Sequence, residues 1–211
     1  AFPIGIQDSF AALQHIHAQG AQQFNIDPTR ISLGGVSAGG NIALVCAHLA
    51  RDANVPLKLV AVGTPTVDDI SKYKSAADAP WLSMQSMEHA PTLNWARLKW
   101  FDNLKWQSIA PEGPTRDSQL AAVKWYANIL DAPDFTGLPK TVIYTAGCDP
   151  LRDEGEAYAQ KLIAGGNEVT QKRFAGVPHP FMHMDKGKSS VRVYKEYADF
   201  LLRPLAGEKI Y

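Results

Sequence analysis

The stretch that most limits what this chain can become is GGVSAGG, residues Gly34 to Gly40, set directly behind Ile31, Ser32 and Leu33 and ahead of an Ala- and Leu-rich segment reaching Arg51. The run RISLGG reads as a short strand and the segment from Ala38 to Arg51 as a helix. Where a strand folds straight back into a helix, the two backbones crowd one another. Gly35 and Gly39, two before and two after Ser37, remove the Cβ atoms that would clash there. A serine at the tip of such a turn is held in a strained conformation that projects its Oγ past the carboxyl edge of the sheet. The helix N-terminus behind it brings a positive dipole end, and the amide of Ala38 points where an oxyanion would form. Ser37 is thus a candidate nucleophile and Ala38 a candidate oxyanion donor. The five-residue pattern alone also fits an ordinary Gly-rich turn, and only the strand before it and the helix after it give it mechanical meaning.

The rest of the chain carries the same rhythm. Residues 57 to 65, LKLVAVGTP, and the run KTVIYTAGCDP from Lys140 are near-continuous apolar runs of the kind buried on both faces of a sheet. EVTQKRFAGV is a further strand. Helices are expected from Asp8 to about Gln23 with Asp8 or Ser9 as N-cap, from 152 to 164 ending at Gly165-Gly166, and from about Ser189 to Leu202. Strands alternating with helices imply a mostly parallel sheet flanked by helices, an α/β fold. Residues 68–135 interrupt it. That interval holds helical patches, LNWARLKWF and SQLAAVKWYANIL, and all five tryptophans. It reads as a helical cap inserted into a core formed by 1–67 and 136–211. Tryptophans bury large area wherever they sit, but their confinement to one insertion points to an apolar pocket wall, with Trp81 and Trp95 as candidate pocket residues.

A serine needs a base within hydrogen-bond reach and an acid to orient that base. On a sheet of this kind they follow in the order Ser, Asp or Glu, His, each in the loop after a strand. The strand TVIYTAG ends at Cys148-Asp149-Pro150, which puts Asp149 at a carboxyl end; Asp153, Glu154 and Glu156 compete with it, and an Asp before Pro also serves as a turn residue. The next strand ends at GVPHPFMHM. His179, between two prolines and nearer the strand, is the candidate base, and His183 a surface or pocket-edge residue. His15, His17, His48 and His89 fall on helices or in the insertion, where solvated or core roles dominate.

Composition removes several classes of function. Lys plus Arg equals Asp plus Glu at 21 each, without charge blocks, so no nucleic-acid footprint appears and a small molecule is the expected partner. No run approaches the length of a membrane span, and AFPIG resembles no signal peptide. Two cysteines and no Asn-x-Ser/Thr sequon favour a reducing compartment, so a cytoplasmic setting is expected over a secreted one. The sequence also lacks an initiator Met. No Cys/His spacing for a metal is present, and GGVSAGG has neither the Lys of a phosphate loop nor dinucleotide Gly spacing, so no cofactor is expected.

Taken together, DPTRISLGGVSAGGNIAL, LPKTVIYTAGCDPLRDEGEAYAQKL and FAGVPHPF resemble the hormone-sensitive-lipase-like branch of the α/β-hydrolases, in order and over essentially the whole chain. The resemblance implies Ser37 as nucleophile, Asp149 as acid and His179 as base, with hydrolysis of short- to medium-chain carboxylic esters as the activity. Lactone or peptide hydrolysis on the same fold, and a non-catalytic ligand-binding relative, are the alternatives; the presence of all three residues argues for an enzyme. Val36 replaces the family's usual Asp and Pro180 its usual Gly, and neither removes a reacting group. The family's upstream His-Gly-Gly-Gly loop, source of most oxyanion donors, has no counterpart here. The resemblance therefore implies that the first strands and that loop lie outside this chain. The expected partners are an ester substrate and an N-terminal piece of the same protein, with a homodimer as a further expectation.

Overall fold

A computed structural model describes residues 2–107, 109, 114–179, 181–184 and 195. Four strands lie side by side in the order β1 (Ser32–Val36), β2 (Leu59–Gly63), β3 (Thr141–Cys148) and β4 (Val169–Pro178), all pairs parallel. The sequence explains the burial of the middle strands. In β2 every residue is buried, with Val60 and Val62 facing one layer and Leu59 and Ala61 the other. β3 alternates likewise, Ile143 on the first face and Val142, Tyr144 and Ala146 on the second. Each fully buried Val or Leu side chain contributes about 1.5–3 kcal/mol, so the two apolar runs hold the sheet's centre. Among the described residues β1 pairs only with β2, and its side chains are half-buried or exposed.

The first face is covered by α2 (Ala38–Asp52), through Ala43, Leu44 and Ala47, and by α7 (Arg152–Ala164), through Tyr158, Ala159 and Leu162. On the second face Phe181 and Met182 pack against Tyr144 and Phe174. The first helix, α1 (Ile4–Phe24), rests on α2 and the entry to β1, where Leu13, Ile31 and Ala50 form a small cluster. It starts at Ile4, four residues ahead of the expected N-cap. The residue before it is Pro3, which makes no side-chain cap, and Ser9 is inside the helix with its hydroxyl donating to Gly5 O at 2.7 Å. A serine that bonds the preceding turn is compatible with a helix interior, so it marked no boundary.

Between β2 and β3 lie α3 (Leu82–Ser86), α4 (Trp95–Trp106), α5 (Pro114–Leu120) and α6 (Lys124–Ala127), with short 3-10 turns among them. α3 and α4 close over a core of their own made of Ile70, Ala76, Met84, Leu93, Leu98 and Leu151. SQLAAVKWYANIL, expected as one helical patch, is broken into α5, α6 and a 3-10 turn at Ile129–Asp131. Asn128 leaves helical backbone at φ −128, ψ 80 and uses its side chain on Asp131, and the break lets Ile129 and Leu130 enter the main core beside α2 and α7. The helix expected from Ser189 to Leu202 lies outside the described residues except for Lys195, which is helical and exposed.

Candidate active site

Strand register brings the three candidate residues to one edge. Val36 is the last residue of β1 and pairs with Gly63, and Cys148 pairs with Pro178. Ser37, Asp149 and His179 are the next residues after β1, β3 and β4, so all three leave the sheet at its carboxyl edge. The β3–β4 ladder is irregular just before that point, passing from the pair Ala146 and Phe174 to the pair Cys148 and Pro178. Gly176, at φ +71, accommodates the two extra residues on β4, a conformation that glycine adopts without strain.

Ser37 has φ 58 and ψ −120, in the left-handed half of backbone space, which costs a non-glycine residue about 1–3 kcal/mol. Its amide donates to Gly63 O at 2.9 Å, and its carbonyl accepts from Asn41 N at 3.1 Å and Thr66 N at 3.3 Å. A Cβ on Gly35 would lie 2.1 Å from Gly39 O, whereas one on Gly39 would meet nothing within 4 Å. The crowding at the turn is thus borne by Gly35 against the backbone of Gly39, and the expectation that both positions exclude a side chain holds for Gly35 alone. Ala38, at the first position of α2, has no intrahelical acceptor for its N–H and lines the cavity beside Ser37.

His179 joins the other two. With Nδ1 protonated it donates to Asp149 Oδ2 at 2.8 Å, and its Nε2 accepts from Ser37 Oγ at 3.0 Å. Asp149 is fully buried, and its Oδ1 accepts from Leu151 N at 2.9 Å, which fixes the carboxylate plane. The segment after His179 is anchored by Phe181 and Met182, both buried; Met182 fills the space over Gly63, whose carbonyl holds the Ser37 amide. The competing acids are engaged elsewhere. Asp153 accepts from Ser83 N and pairs with Arg152, and Glu156 binds Arg173 and Thr145. His15 and His89 are exposed, His17 is half-buried, and His48 is buried beside Tyr158 OH at 3.0 Å. His183 is exposed on the rim of the cavity.

Glu154, one of the acids competing with Asp149 in the sequence, has a structural role that the sequence reading leaves unassigned. It is fully buried, its Oε1 accepts from Val67 N at 2.8 Å and Asp68 N at 3.2 Å, and its Oε2 has no partner among the described residues. Burial, with Asp68 and Asp149 nearby, raises its pKa well above the ordinary carboxyl value and favours the protonated carboxyl. It pins the loop whose Thr66 amide binds Ser37 O. A signal was present: Glu154 falls on the apolar stripe of α7 with Leu151, Tyr158 and Leu162, where a charged residue is out of place.

A cavity of about 530 Å³ opens beside the three residues, walled by Phe2, Ile70, Leu93, Leu98, Phe101 and Ala127. None of the five tryptophans lines it. Trp81 donates its indole N–H to Asp68 Oδ2 at 2.7 Å, and Trp95 is half-buried at the start of α4 with Lys99 over its ring, so the two expected at the pocket wall serve as packing and hydrogen-bonding anchors behind it. Among the described residues no cluster of three His, Cys, Asp or Glu side chains has metal-binding geometry, and no helix is long and apolar enough to cross a membrane.

A parallel sheet with helices between its strands, and serine, histidine and aspartate converging at its carboxyl edge, define an α/β-hydrolase. Residues 1–183 match the family described as alpha/beta hydrolase fold, and the chain belongs to that family, in its hormone-sensitive-lipase-like branch. It is 33% identical over 187 residues to an AB hydrolase superfamily protein of Schizosaccharomyces pombe, covering 87% of this chain and 51% of that protein. It is 32% identical over 197 residues to the carboxylesterase NlhH of Mycobacterium tuberculosis, covering 86% and 52%. The solved structure of a bacterial heroin esterase superposes with a TM-score of 0.76 at 33% identity, covering all of this chain and 61% of that one. The chain thus spans about half the length of the curated relatives it matches.

Proposed function

We propose that this chain carries the catalytic face of a serine carboxylesterase acting on short- to medium-chain esters. The observation that carries the reading is the unbroken chain of hydrogen bonds from Asp149 through His179 to Ser37 at the edge of an apolar cavity. Ser37 Oγ attacks the ester carbonyl as His179 Nε2 takes its proton, and the tetrahedral oxyanion forms toward Ala38 N–H. Collapse expels the alcohol, which receives the proton from His179, and leaves an acyl-serine. Water, activated by the same nitrogen, releases the acid and restores Ser37. Asp149 holds the imidazole in the tautomer with Nδ1 protonated and stabilises the imidazolium at each step. A cavity of about 530 Å³ suits a small ligand rather than a lipid surface.

Removing one oxyanion donor typically costs about 3 kcal/mol of transition-state stabilisation, so Ala38 N–H alone is a weak hole. The outer edge of β1, which has no partner strand among the described residues, and the greater length of the relatives support placing further donors on a segment of the whole protein outside these 211 residues. The test is a fluorophosphonate probe read by intact mass. The whole protein, with the segment that completes the oxyanion hole, is expected to gain one phosphonyl group on Ser37 and to hydrolyse p-nitrophenyl butyrate, and its Ser37→Ala form to do neither. Labelling that survives in Ser37→Ala, or its absence from the wild type, refutes the assignment.

A further inference from the structure

The charged groups around the cavity are not evenly matched. Asp68, Asp102, Lys105 and Arg97 all line it, and the first three belong to a closed network. Asp68 binds Lys72, Tyr73 OH and Trp81; Asp69 binds Lys105; Asp102 binds Lys105 at 3.1 Å and Lys99 at 3.6 Å. Three carboxylates, Asp68, Asp69 and Asp102, thus meet three ammonium groups, Lys72, Lys99 and Lys105, and cancel. For Asp68, burial would raise the pKa, but the hydrogen bonds from Lys72, Trp81 and Tyr73 outweigh it and hold the pKa below the ordinary carboxylate value, favouring the ionised form.

Arg97 is outside this balance. It is exposed, in the first turn of α4, where Asn94 Oδ1 accepts its amide at 3.0 Å. Its Nη1 donates to Thr92 O at 2.7 Å, and Thr92 also lines the cavity. That bond holds the guanidinium over the cavity mouth and leaves Nε and Nη2 without an acceptor among the described residues. No carboxylate pairs with it there. Histidines apart, Arg97 is the one charged lining residue without an ion-pair partner among the described residues, and it stands beside the apolar Phe2, Ile70, Leu93, Leu98 and Phe101.

We propose that the cavity selects esters bearing a carboxylate, or a comparable anion, remote from the reacting carbonyl, with Arg97 as the specificity-determining residue. This rests on the ester-hydrolase reading and deepens it. The apolar wall takes the substrate's carbon chain, and the planar guanidinium takes the anion through the donors that Thr92 leaves free. A neutral ester of the same length gains the first contact and not the second.

The test separates binding from turnover. In a Ser37→Ala background, which removes the nucleophile, monomethyl adipate and dimethyl adipate are titrated by calorimetry. The monoanion is expected to bind about fivefold more tightly than the diester, the gain of a well-placed ion pair near the surface. Adding Arg97→Gln is expected to abolish that preference and leave the diester's Kd within about twofold; Arg97→Lys, which keeps the charge without the planar fork, should retain part of it. Equal affinities for the two ligands, or a preference that persists in Arg97→Gln, overturn the proposal. A failure there with Ser37 still labelled by fluorophosphonate sinks the anion preference alone. Loss of labelling with the preference intact sinks the esterase reading alone.

Discussion

Replacing Gly35 with alanine tests the turn at Ser37 directly. The added Cβ would lie 2.1 Å from Gly39 O and 2.3 Å from Gly39 C, and non-bonded Cβ contacts under 3.0 Å are essentially never seen. Relief to 3.0 Å requires β1 and α2 to separate by 3.0 − 2.1, about 0.9 Å, and both atoms are backbone, so no side chain can rotate away. Overpacking of this kind costs about 1–3 kcal/mol, and at about 3 °C per kcal/mol for a chain of this size the melting temperature should fall by roughly 6 °C. Ser37 sits between the separating elements, and misplacing a reacting group by about 1 Å can cost on the order of 100-fold in rate. Gly39→Ala is the control. Its Cβ meets nothing within 4 Å, and in the first turn of α2 alanine should be neutral or stabilising by up to about 1 kcal/mol. Circular-dichroism melting and p-nitrophenyl butyrate turnover, measured on both, decide the matter. Two variants that behave alike, or a Gly35→Ala protein with wild-type melting and turnover, would show that the close approach of strand and helix does not set the position of Ser37.

Two further predictions concern buried titratable groups. Burial, aided by Arg51, lowers the pKa of His48 from 6.5 to about 4, against smaller opposing effects of Asp52 and Asp134. The unfolded chain therefore binds a proton that the folded chain refuses, and stability should fall by about 3 kcal/mol as pH drops from 6.5 to about 4. Urea midpoints across that window should show the fall in wild type, while His48→Phe, offset throughout by the lost bond to Tyr158 OH, should lack that component of it; parallel curves would exclude the assignment. Glu154 has the opposite sign. Its folded-state pKa is raised, so its contribution is fully present below 4.5 and is lost as pH climbs through the folded value. Glu154→Gln keeps an acceptor for the Val67 and Asp68 amides and should flatten this alkaline decline. Glu154→Ala leaves both amides unpaired, at about 1–3 kcal/mol each, and should also lower kcat by loosening the loop behind Ser37. Equal urea midpoints for the Gln and Ala variants would count against it.

The sheet was readable because its two central strands, Leu59–Gly63 and Thr141–Cys148, are apolar on both faces and bounded by turn residues. Ser37, Asp149 and His179 were readable because each stands immediately after a strand. What stayed hidden depends on partners distant in the chain. The tryptophans declare large buried area, but only the fold reveals that Trp81 turns its indole N–H to Asp68 and stands behind the cavity wall. Glu154 looked like one of several acids after Asp149, since its acceptors, Val67 and Asp68, lie more than 80 residues away. Arg97 stood out in no local pattern, because its significance lies in the pairing of Asp68, Asp102 and Lys105 on the same cavity with partners elsewhere in the chain. The early start of α1 was missed because Pro3 offers no side-chain cap to recognise.

Ser37 and His179 are 142 residues apart, and Asp149 and His179 are 30 apart, so the hydrogen-bonded chain closes only when β4 docks beside β3. Contacts of such wide sequence separation form late and slowly, because loop entropy is lost before they give anything back. On a ribosome adding residues from the N-terminus, the turn holding Ser37 and the helix behind it can assemble long before residue 179 is synthesised. The nascent chain therefore carries Ser37 without its histidine partner until β4 has been made and has docked beside β3, and on the proposed mechanism no activity precedes that docking.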